Sequence, residues 1–223
     1  SGNVVTLCPV GALTSADFRF KMRVWWLEGT DSICTGCARG CNIRLEYNRD
    51  RVYRYLAREN DDVNECWLCD EGRLSYKEIN DKYIWKPRIN TEDTDINRAL
   101  DLTLNYLKPY LPRDVESKVL PVISAQQSNE ETYLAGLIFK ELFGVNKALV
   151  IGKPGGEGDN FLKMADKNPN RTGVEKTLKG LGYSLLTVEN AGKLINDNTI
   201  ETVFAVGSHI EDFSTAEKLL AAQ

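Results

Sequence analysis

Two stretches of sequence decide how the first part of this chain folds: Cys34-Thr35-Gly36-Cys37-Ala38-Arg39-Gly40-Cys41 and Cys69-Asp70-Glu71-Gly72-Arg73. Their four cysteines follow the pattern C-x2-C-x3-C-x27-C. Thiolates suit soft metal centres, and one compact loop can supply three of them while a distant turn supplies the fourth. This spacing favours a [4Fe–4S] cluster and predicts a role in electron transfer.

Two other interpretations of the cysteines remain open on the residues alone. Cys34, Cys37, Cys66 and Cys69 also read as C-x2-C-x28-C-x2-C, which resembles a structural zinc site with a long central spacer. The zinc interpretation leaves Cys41 without a role. Disulfides are the third option because six cysteines is an even number. The sequence shows no apolar signal segment, and the chain is long enough to bury a core without disulfides.

Composition limits the classes of partner. The chain has 223 residues, 42% hydrophobic content and a net charge of −4. We expect no nucleic-acid partner, because no basic stripe with interleaved aromatic residues is visible. We also expect no direct membrane insertion, because no apolar run approaches the roughly 18 residues that a bilayer span requires.

The cysteines and tryptophans divide the chain into two lobes. All six cysteines lie within residues 1–69 and all four tryptophans within residues 1–85, which places the join near Trp85-Lys86-Pro87-Arg88. In the first lobe, Ile43, Leu45 and Tyr47 alternate with polar residues, and the turn residues 48–50 lead into a second apolar segment, 52–56. This pattern predicts a β-hairpin that begins beside Cys41.

The second lobe alternates helical and strand patterns. Helices are predicted at 95–107, from a capping box at Ser128-Asn129-Glu130-Glu131 to residue 142, at 174–181 and at 214–222. Strands are predicted at 119–123, 147–151 and 202–206, and Pro121 argues that the first of them lies at an edge or an end. The predicted fold class is α/β: a small β-rich iron–sulfur lobe followed by a partial Rossmann-like α/β domain.

A glycine-rich stretch at residues 152–159 follows one of these strands. It fits neither G-x-G-x-x-G nor G-x-x-x-x-G-K-[ST], so a mobile or partner-facing loop is favoured over a nucleotide-binding loop. His209 is the one histidine in the sequence and is interpreted as a turn residue rather than a ligand.

The cysteine motif and several other segments together resemble a known family. The cysteine pattern with Cys69-Asp70-Glu71-Gly72-Arg73 resembles the iron–sulfur lobe of the molybdopterin oxidoreductase superfamily. Its branch is indicated by further segments, which resemble the large iron–sulfur subunit of NADH:quinone oxidoreductase, respiratory complex I. These segments are Cys8-Pro9-Val10-Gly11-Ala12-Leu13-Thr14, Arg23-Val24-Trp25-Trp26, Asp62-Val63-Asn64-Glu65 and the stretches 128–134 and 165–173.

The resemblance implies a set of metal ligands and a domain arrangement. Cys34, Cys37, Cys41 and Cys69 would hold one [4Fe–4S] cluster, and Cys8 would be the fourth ligand of a second cluster whose other ligands lie upstream. Cys66 has no counterpart in the pattern. Residues 1–28 would be the end of a ferredoxin-like domain with a linker, 29–88 the cluster lobe and 89–223 an incomplete Rossmann-like domain. We expect the chain to be a fragment of a longer polypeptide.

The resemblance also implies a biological setting. The partners would be upstream ferredoxin-like domains and the other peripheral-arm subunits of an NADH dehydrogenase, in the cytoplasm and peripheral to the inner membrane. Within the superfamily, catalytic members carry a lysine where this chain has Glu71, and a metal ligand well downstream of the cluster, whereas this chain has no cysteine after Cys69. We therefore expect no molybdopterin and assign no catalytic residue. The alternatives are a formate dehydrogenase-like molybdopterin enzyme, a zinc-stabilised interaction module and an NAD-linked hydrogenase subunit.

Overall fold

The structure is a computed structural model that describes residues 1–81, 86–90, 92–111 and 117–207. The chain divides into two compact units, the first containing Ser1–Tyr83 and Gly155–Pro169, and the second Ile84–Pro154 and Asn170–Gln223. Trp85, His209 and the helix predicted at 214–222 lie outside the described residues. The domain boundaries expected from the sequence stay a prediction.

The first unit is built on a three-stranded antiparallel sheet, ordered β1-β2-β3. Its strands are β1 (Glu28–Ile33), β2 (Asn42–Asn48) and β3 (Arg51–Ala57). The predicted hairpin is confirmed, since β2 pairs with β3 from Ile43 opposite Ala57 to Asn48 opposite Arg51. The tight turn between the two strands is made possible by Arg49, which adopts φ of 52°.

Three short helices complete the first unit: α1 (Gly2–Leu7), α2 (Asp70–Leu74) and α3 (Tyr76–Asp81). Helix α1 lies against α2, because the Gly2 N–H donates to the Asp70 carboxylate and Arg73 donates to the Asn3 side chain. A single 3₁₀ turn, Val24–Trp26, precedes β1. These helices bring the second cysteine-bearing stretch to the sheet.

The second unit contains a four-stranded parallel sheet whose order is β8-β7-β6-β9. After a small hairpin of β4 (Arg88–Ile89) and β5 (Glu92–Asp93), its elements in chain order are α4 (Ile96–Leu107), the 3₁₀ turn Lys108–Tyr110, β6 (Val119–Ser124), α5 (Asn129–Phe143), β7 (Lys147–Ile151), α6 (Arg171–Gly180), β8 (Ser184–Leu186), α7 (Val188–Asn196) and β9 (Thr202–Val206). The α/β class is confirmed.

Strand β6 corrects the expectation that proline placed at Pro121. The strand is central rather than at an edge, since it pairs with β7 on one side and β9 on the other. The ladder to β7 begins at Val122, one residue after the proline, so the missing N–H of Pro121 precedes that ladder. Strand β6 is buried throughout, which fits a central position with helices on both faces.

Alternate residues of β6 enter two separate cores. Val119 and Ile123 pack with Phe139 of α5 and Leu178 of α6. Leu120 and Val122 pack with a second group that includes Ala191 of α7. The sheet is therefore covered by helices on both faces.

Helices α4 and α5 confirm two local predictions, and α4 differs in one respect. Ser128 accepts a hydrogen bond from the Glu131 N–H while Glu131 accepts one from the Ser128 N–H, which is the predicted capping box. Helix α4 begins after Asp95 as expected. Of the apolar residues that define its predicted face, however, only Leu107 is buried, and Ile96, Leu100 and Leu104 are exposed in the structure.

The glycine-rich stretch has an unexpected place in the fold. The chain leaves the second unit after Pro154, contributes Gly155–Pro169 to the first unit and returns to the second at Asn170. Gly158 fits closely here, because a Cβ would lie 3.1 Å from the Lys163 carbonyl oxygen and 3.2 Å from the Ala165 nitrogen. None of the helices in the described ranges is long and apolar enough to span a lipid bilayer.

Candidate metal centre

The first three cysteines lie on one tight loop between β1 and β2. The Cys34 N–H donates to the Cys41 carbonyl oxygen at 2.8 Å, and the Gly40 N–H donates to the Cys37 carbonyl oxygen at 3.3 Å. Gly40 has φ of +64°, a left-handed conformation that favours glycine. Because the strands on either side fix the ends of the loop, all three cysteines are buried together.

The fourth cysteine is positioned by a helix terminus. Cys69 is the residue immediately before α2, and its Sγ accepts a hydrogen bond from the Gly72 N–H at 3.3 Å. An N–H group that donates to a sulfur stabilises its thiolate form. The first turn of α2 therefore both places Cys69 and favours its function as a ligand.

The four cysteines of the predicted ligand set line one cavity. The other lining residues are Gly36, Gly40, Glu71, Gly72, Lys163 and Lys167. The cavity contains about 310 Å³ of empty space, including its open mouth. Cys66 is exposed and is not among the lining residues. The structure thus brings together Cys34, Cys37, Cys41 and Cys69, and leaves Cys66 apart.

The walls of the cavity fit a metal–sulfur cluster. A Cβ at position 72 would lie 2.9 Å from Cys34 Sγ and 3.3 Å from Cys69 Sγ, so glycine keeps the space between these sulfurs open. The sulfurs do not converge on one point as the ligands of a zinc ion do. Among the residues that the structure describes, no group of three or more Cys, His, Asp or Glu side chains is arranged to hold a single ion. Four thiols around an open space are the donor set of a [4Fe–4S] cluster.

An apolar wall lies behind the cysteines. Cys34 and Cys41 belong to the buried core of the first unit, together with Ile43, Tyr55, Leu68 and Tyr76. Desolvation raises the pKa of Cys41 to about 11, with a further contribution from the neighbouring thiols. Desolvation also raises the pKa of Cys69. The thiols are therefore set to ionise when a positive centre compensates the burial of their charge.

Asn64 links the two cysteine-bearing stretches, a role that the sequence did not reveal. Its side chain is 2% exposed and accepts a hydrogen bond from the N–H of Asn42, the residue after Cys41, at 2.8 Å. It donates at 3.0 Å to the carbonyl oxygen of Trp67, two residues before Cys69. The signal in the sequence was its place in the motif 62–65, but only the fold shows which groups it joins.

Two lysines at the cavity were also missed. Lys163 and Lys167 come from the segment 155–169, and both contact Glu71. The sequence offered no local signal for this contact, because the residues are more than 90 positions apart from Glu71 in the chain. Glu71 itself is 64% exposed at the side chain.

Cys8 lies in a loop of its own, outside the cavity. The backbone N–H groups of residues 10–13, with Leu13 contributing most, hold the pKa of the half-buried Cys8 thiol below its usual value. A loop that directs N–H groups toward a sulfur suits a cluster ligand. The structure does not bring Cys8 together with the other four predicted ligands.

Comparison with known proteins agrees with the geometry. Residues 27–77 match the family model described as NADH-ubiquinone oxidoreductase NDSU1/NuoG-like, 4Fe-4S domain. The NuoG-type subunit of the NADH-quinone oxidoreductase from Streptomyces coelicolor is 46% identical over 77 residues, which is 34% of this chain and 9% of the relative. The mitochondrial NADH dehydrogenase [ubiquinone] iron-sulfur protein 1 from Solanum tuberosum is 44% identical over 93 residues, covering 42% of this chain and 13% of the relative.

A longer match extends into the second unit. The NADH-ubiquinone oxidoreductase 75 kDa subunit from Reclinomonas americana is 34% identical over 142 residues, which is 64% of this chain and 20% of the relative. The chain thus spans about a tenth to a fifth of the length of these relatives. The chain is related to the NuoG-type subunits of NADH-quinone oxidoreductases, and its residues 27–77 belong to the NDSU1/NuoG-like family of 4Fe-4S domains.

Proposed function

We propose that this chain is an electron-transfer part of the peripheral arm of an NADH:quinone oxidoreductase, and that Cys34, Cys37, Cys41 and Cys69 hold its [4Fe–4S] cluster. The observation that carries the proposal is the cavity that these four cysteines line within a domain of the 4Fe-4S family. When bound, the cluster supplies one-electron transfer. We expect no independent catalytic site in this chain.

The residues around the cavity have separable tasks in this proposal. The loop 34–41 and the first turn of α2 hold the four sulfurs at fixed positions. The Gly72 N–H directs its hydrogen bond to Cys69 Sγ, and such bonds to sulfur tune the potential of a cluster. Ile43 and Leu68 exclude water from behind the site.

The proposal is tested by metal analysis of the full chain prepared without oxygen. We expect a brown protein with about four iron atoms per chain. Stoichiometric zinc in place of iron would support the zinc-stabilised module and overturn the proposal. Molybdenum or a pterin in the denatured protein would favour the formate dehydrogenase-like alternative.

A pair of cysteine variants sharpens this test. Cys41→Ser should lose the cluster, because Cys41 is buried in the cavity wall and metal binding is coupled to folding. Cys66→Ser is the matched control and should leave the colour and the iron content unchanged, since Cys66 is exposed. If Cys66→Ser strips the metal while Cys41→Ser retains it, the ligand assignment is wrong.

The same proposal extends to the surroundings of the chain. Cys8 would serve a second [4Fe–4S] cluster held by an upstream ferredoxin-like domain, supported by the N–H groups around its sulfur. The other partners would be the remaining peripheral-arm subunits, at the cytoplasmic face of the inner membrane. We also propose that no molybdopterin binds, since Glu71 places a carboxylate at the cavity that would repel an anionic pterin.

For the second unit we propose a Rossmann-like domain. In chain order its parallel strands are β6, β7, β8 and β9, and their order in the sheet, β8-β7-β6-β9, corresponds to 3-2-1-4. This is the start of the order 3-2-1-4-5-6 that defines a Rossmann sheet. Helices on both faces of β6 support the same assignment.

A further inference from the structure

The segment 155–169 packs beside both cysteine-bearing stretches. The Ala38 N–H, on the loop between Cys37 and Cys41, donates to the Asp166 carbonyl oxygen at 2.9 Å. The rings of Phe161 and Trp67 lie 6.3 Å apart between centroids. These contacts anchor the segment to the same unit that holds the cysteines.

The segment is also ordered by bonds within itself. Asp159 Oδ1 accepts hydrogen bonds from three successive N–H groups, those of Phe161, Leu162 and Lys163. The Gly156 N–H donates to the Ala165 carbonyl oxygen at 2.8 Å, and Leu162 is buried. The backbone that carries Lys163 is therefore held in a defined conformation.

Two ammonium groups of this segment share one carboxylate at the cavity. Lys163 Nζ lies 2.9 Å from Glu71 Oε1, and Lys167 Nζ lies 3.7 Å from Glu71 Oε2. The lysine side chains are 29% and 19% exposed, so both are more buried than Glu71 at 64%. The three side chains carry a net charge of +1 and line the cavity with the four cysteines.

We propose that Lys163 and Lys167 are tuning residues for the cluster, and that their charge favours its reduced state. The inference rests on the proposed function, because it needs the cluster in the cavity. Reduction adds one electron from an external one-electron donor, which makes the site more negative by one charge. A fixed positive charge at the cavity wall stabilises that product, whereas Glu71 opposes it. The hydrogen bond to Glu71 raises the pKa of Lys163, which keeps this ammonium charged.

Charge variants of the full chain test the proposal through the midpoint potential of the cluster. We expect Lys163→Gln and Lys167→Gln each to lower the equilibrium constant for reduction by about tenfold, which is about 59 mV for one electron. Glu71→Gln should shift the potential in the opposite direction. Lys163→Arg keeps the charge and should keep the wild-type potential. Lys21→Gln is the matched control, since Lys21 is an exposed lysine of the same unit that does not line the cavity.

The outcomes separate this inference from the function on which it rests. Wild-type protein without iron would overturn both. A loaded wild-type protein whose lysine variants keep its potential would overturn only the tuning role. Shifts of the same sign in Lys163→Gln and Glu71→Gln would also overturn it, because loosening of the segment, unlike a change of charge, has no reason to reverse sign. If Lys163→Gln does not retain the cluster, the opposed signs of Lys167→Gln and Glu71→Gln decide.

Discussion

The glycine at position 72 offers the sharpest test of the cavity geometry. In Gly72→Ala, the new Cβ would lie 2.9 Å from Cys34 Sγ, 3.3 Å from Cys69 Sγ and 3.5 Å from Leu68 Cδ1. Favourable contacts between heavy atoms begin near about 3.5 Å, so the two sulfurs must move. The substitution retains the N–H that donates to Cys69 Sγ, and its effect is therefore steric.

The magnitude follows from two opposing effects. Overpacking of this kind costs about 1–3 kcal/mol of unfolding free energy. Replacing glycine by alanine in helix α2 returns up to about 1 kcal/mol. We expect a net loss of up to about 2 kcal/mol in the metal-free chain, and a larger loss in iron content because two of the four sulfurs are displaced together.

Gly36→Ala is the matched control for this prediction. Its Cβ would lie 3.5 Å from Cys34 Sγ and 3.8 Å from the Gly72 Cα, which are ordinary contacts. Iron per chain and denaturant unfolding should be measured for both variants beside the wild type. The reasoning is refuted if Gly72→Ala binds as much iron and unfolds at the same denaturant concentration as Gly36→Ala.

Three other substitutions probe the packing that positions the site, each measured by denaturant unfolding of the metal-free chain. Asn64→Ala should cost about 1–3 kcal/mol, because it leaves the Asn42 N–H and the Trp67 carbonyl without their buried partner; an unchanged midpoint would contradict the linking role. Leu68→Ala should cost about 2–5 kcal/mol, since Leu68 is fully buried in the core of the first unit, and a loss below about 1 kcal/mol would show that this core is loose. Ser128→Ala should cost about 1 kcal/mol through the lost cap of α5 while iron content stays at the wild-type level, and a loss of iron would contradict the separate place of this cap in the second unit.

The sequence predicted the elements whose signals are local. The hairpin of β2 and β3 was read from period-two alternation and a turn, and the cap of α5 from four residues. Strand β8 was missed because three residues carry no usable period. Helix α7 was missed although Thr187 accepts a hydrogen bond from the Asn190 N–H, a capping signal that was present in the sequence.

The candidate site shows the same division between local and distant information. The spacing of the cysteines predicted which thiols share a cavity, because three of them lie on one loop. The position of Pro121 misled, because a rule about proline in strands does not specify where a neighbouring ladder begins. The contact of Lys163 and Lys167 with Glu71 depends on how the segment 155–169 returns to the first unit, and no local pattern encodes that path.

The two sides of the cavity argue for a redox site rather than a purely structural one. On one side, burial raises the pKa of Cys41 to about 11, so this wall disfavours added negative charge unless metal is present. On the other side, Lys163 and Lys167 supply positive charge to a place where a structural site would need none. A structural metal is satisfied once its ligands are neutralised, whereas a cluster that accepts an electron requires its surroundings to tolerate one further negative charge. The segment 155–169 is thus best understood as part of the electron-accepting environment, although its sequence lies far from the cysteines that it covers.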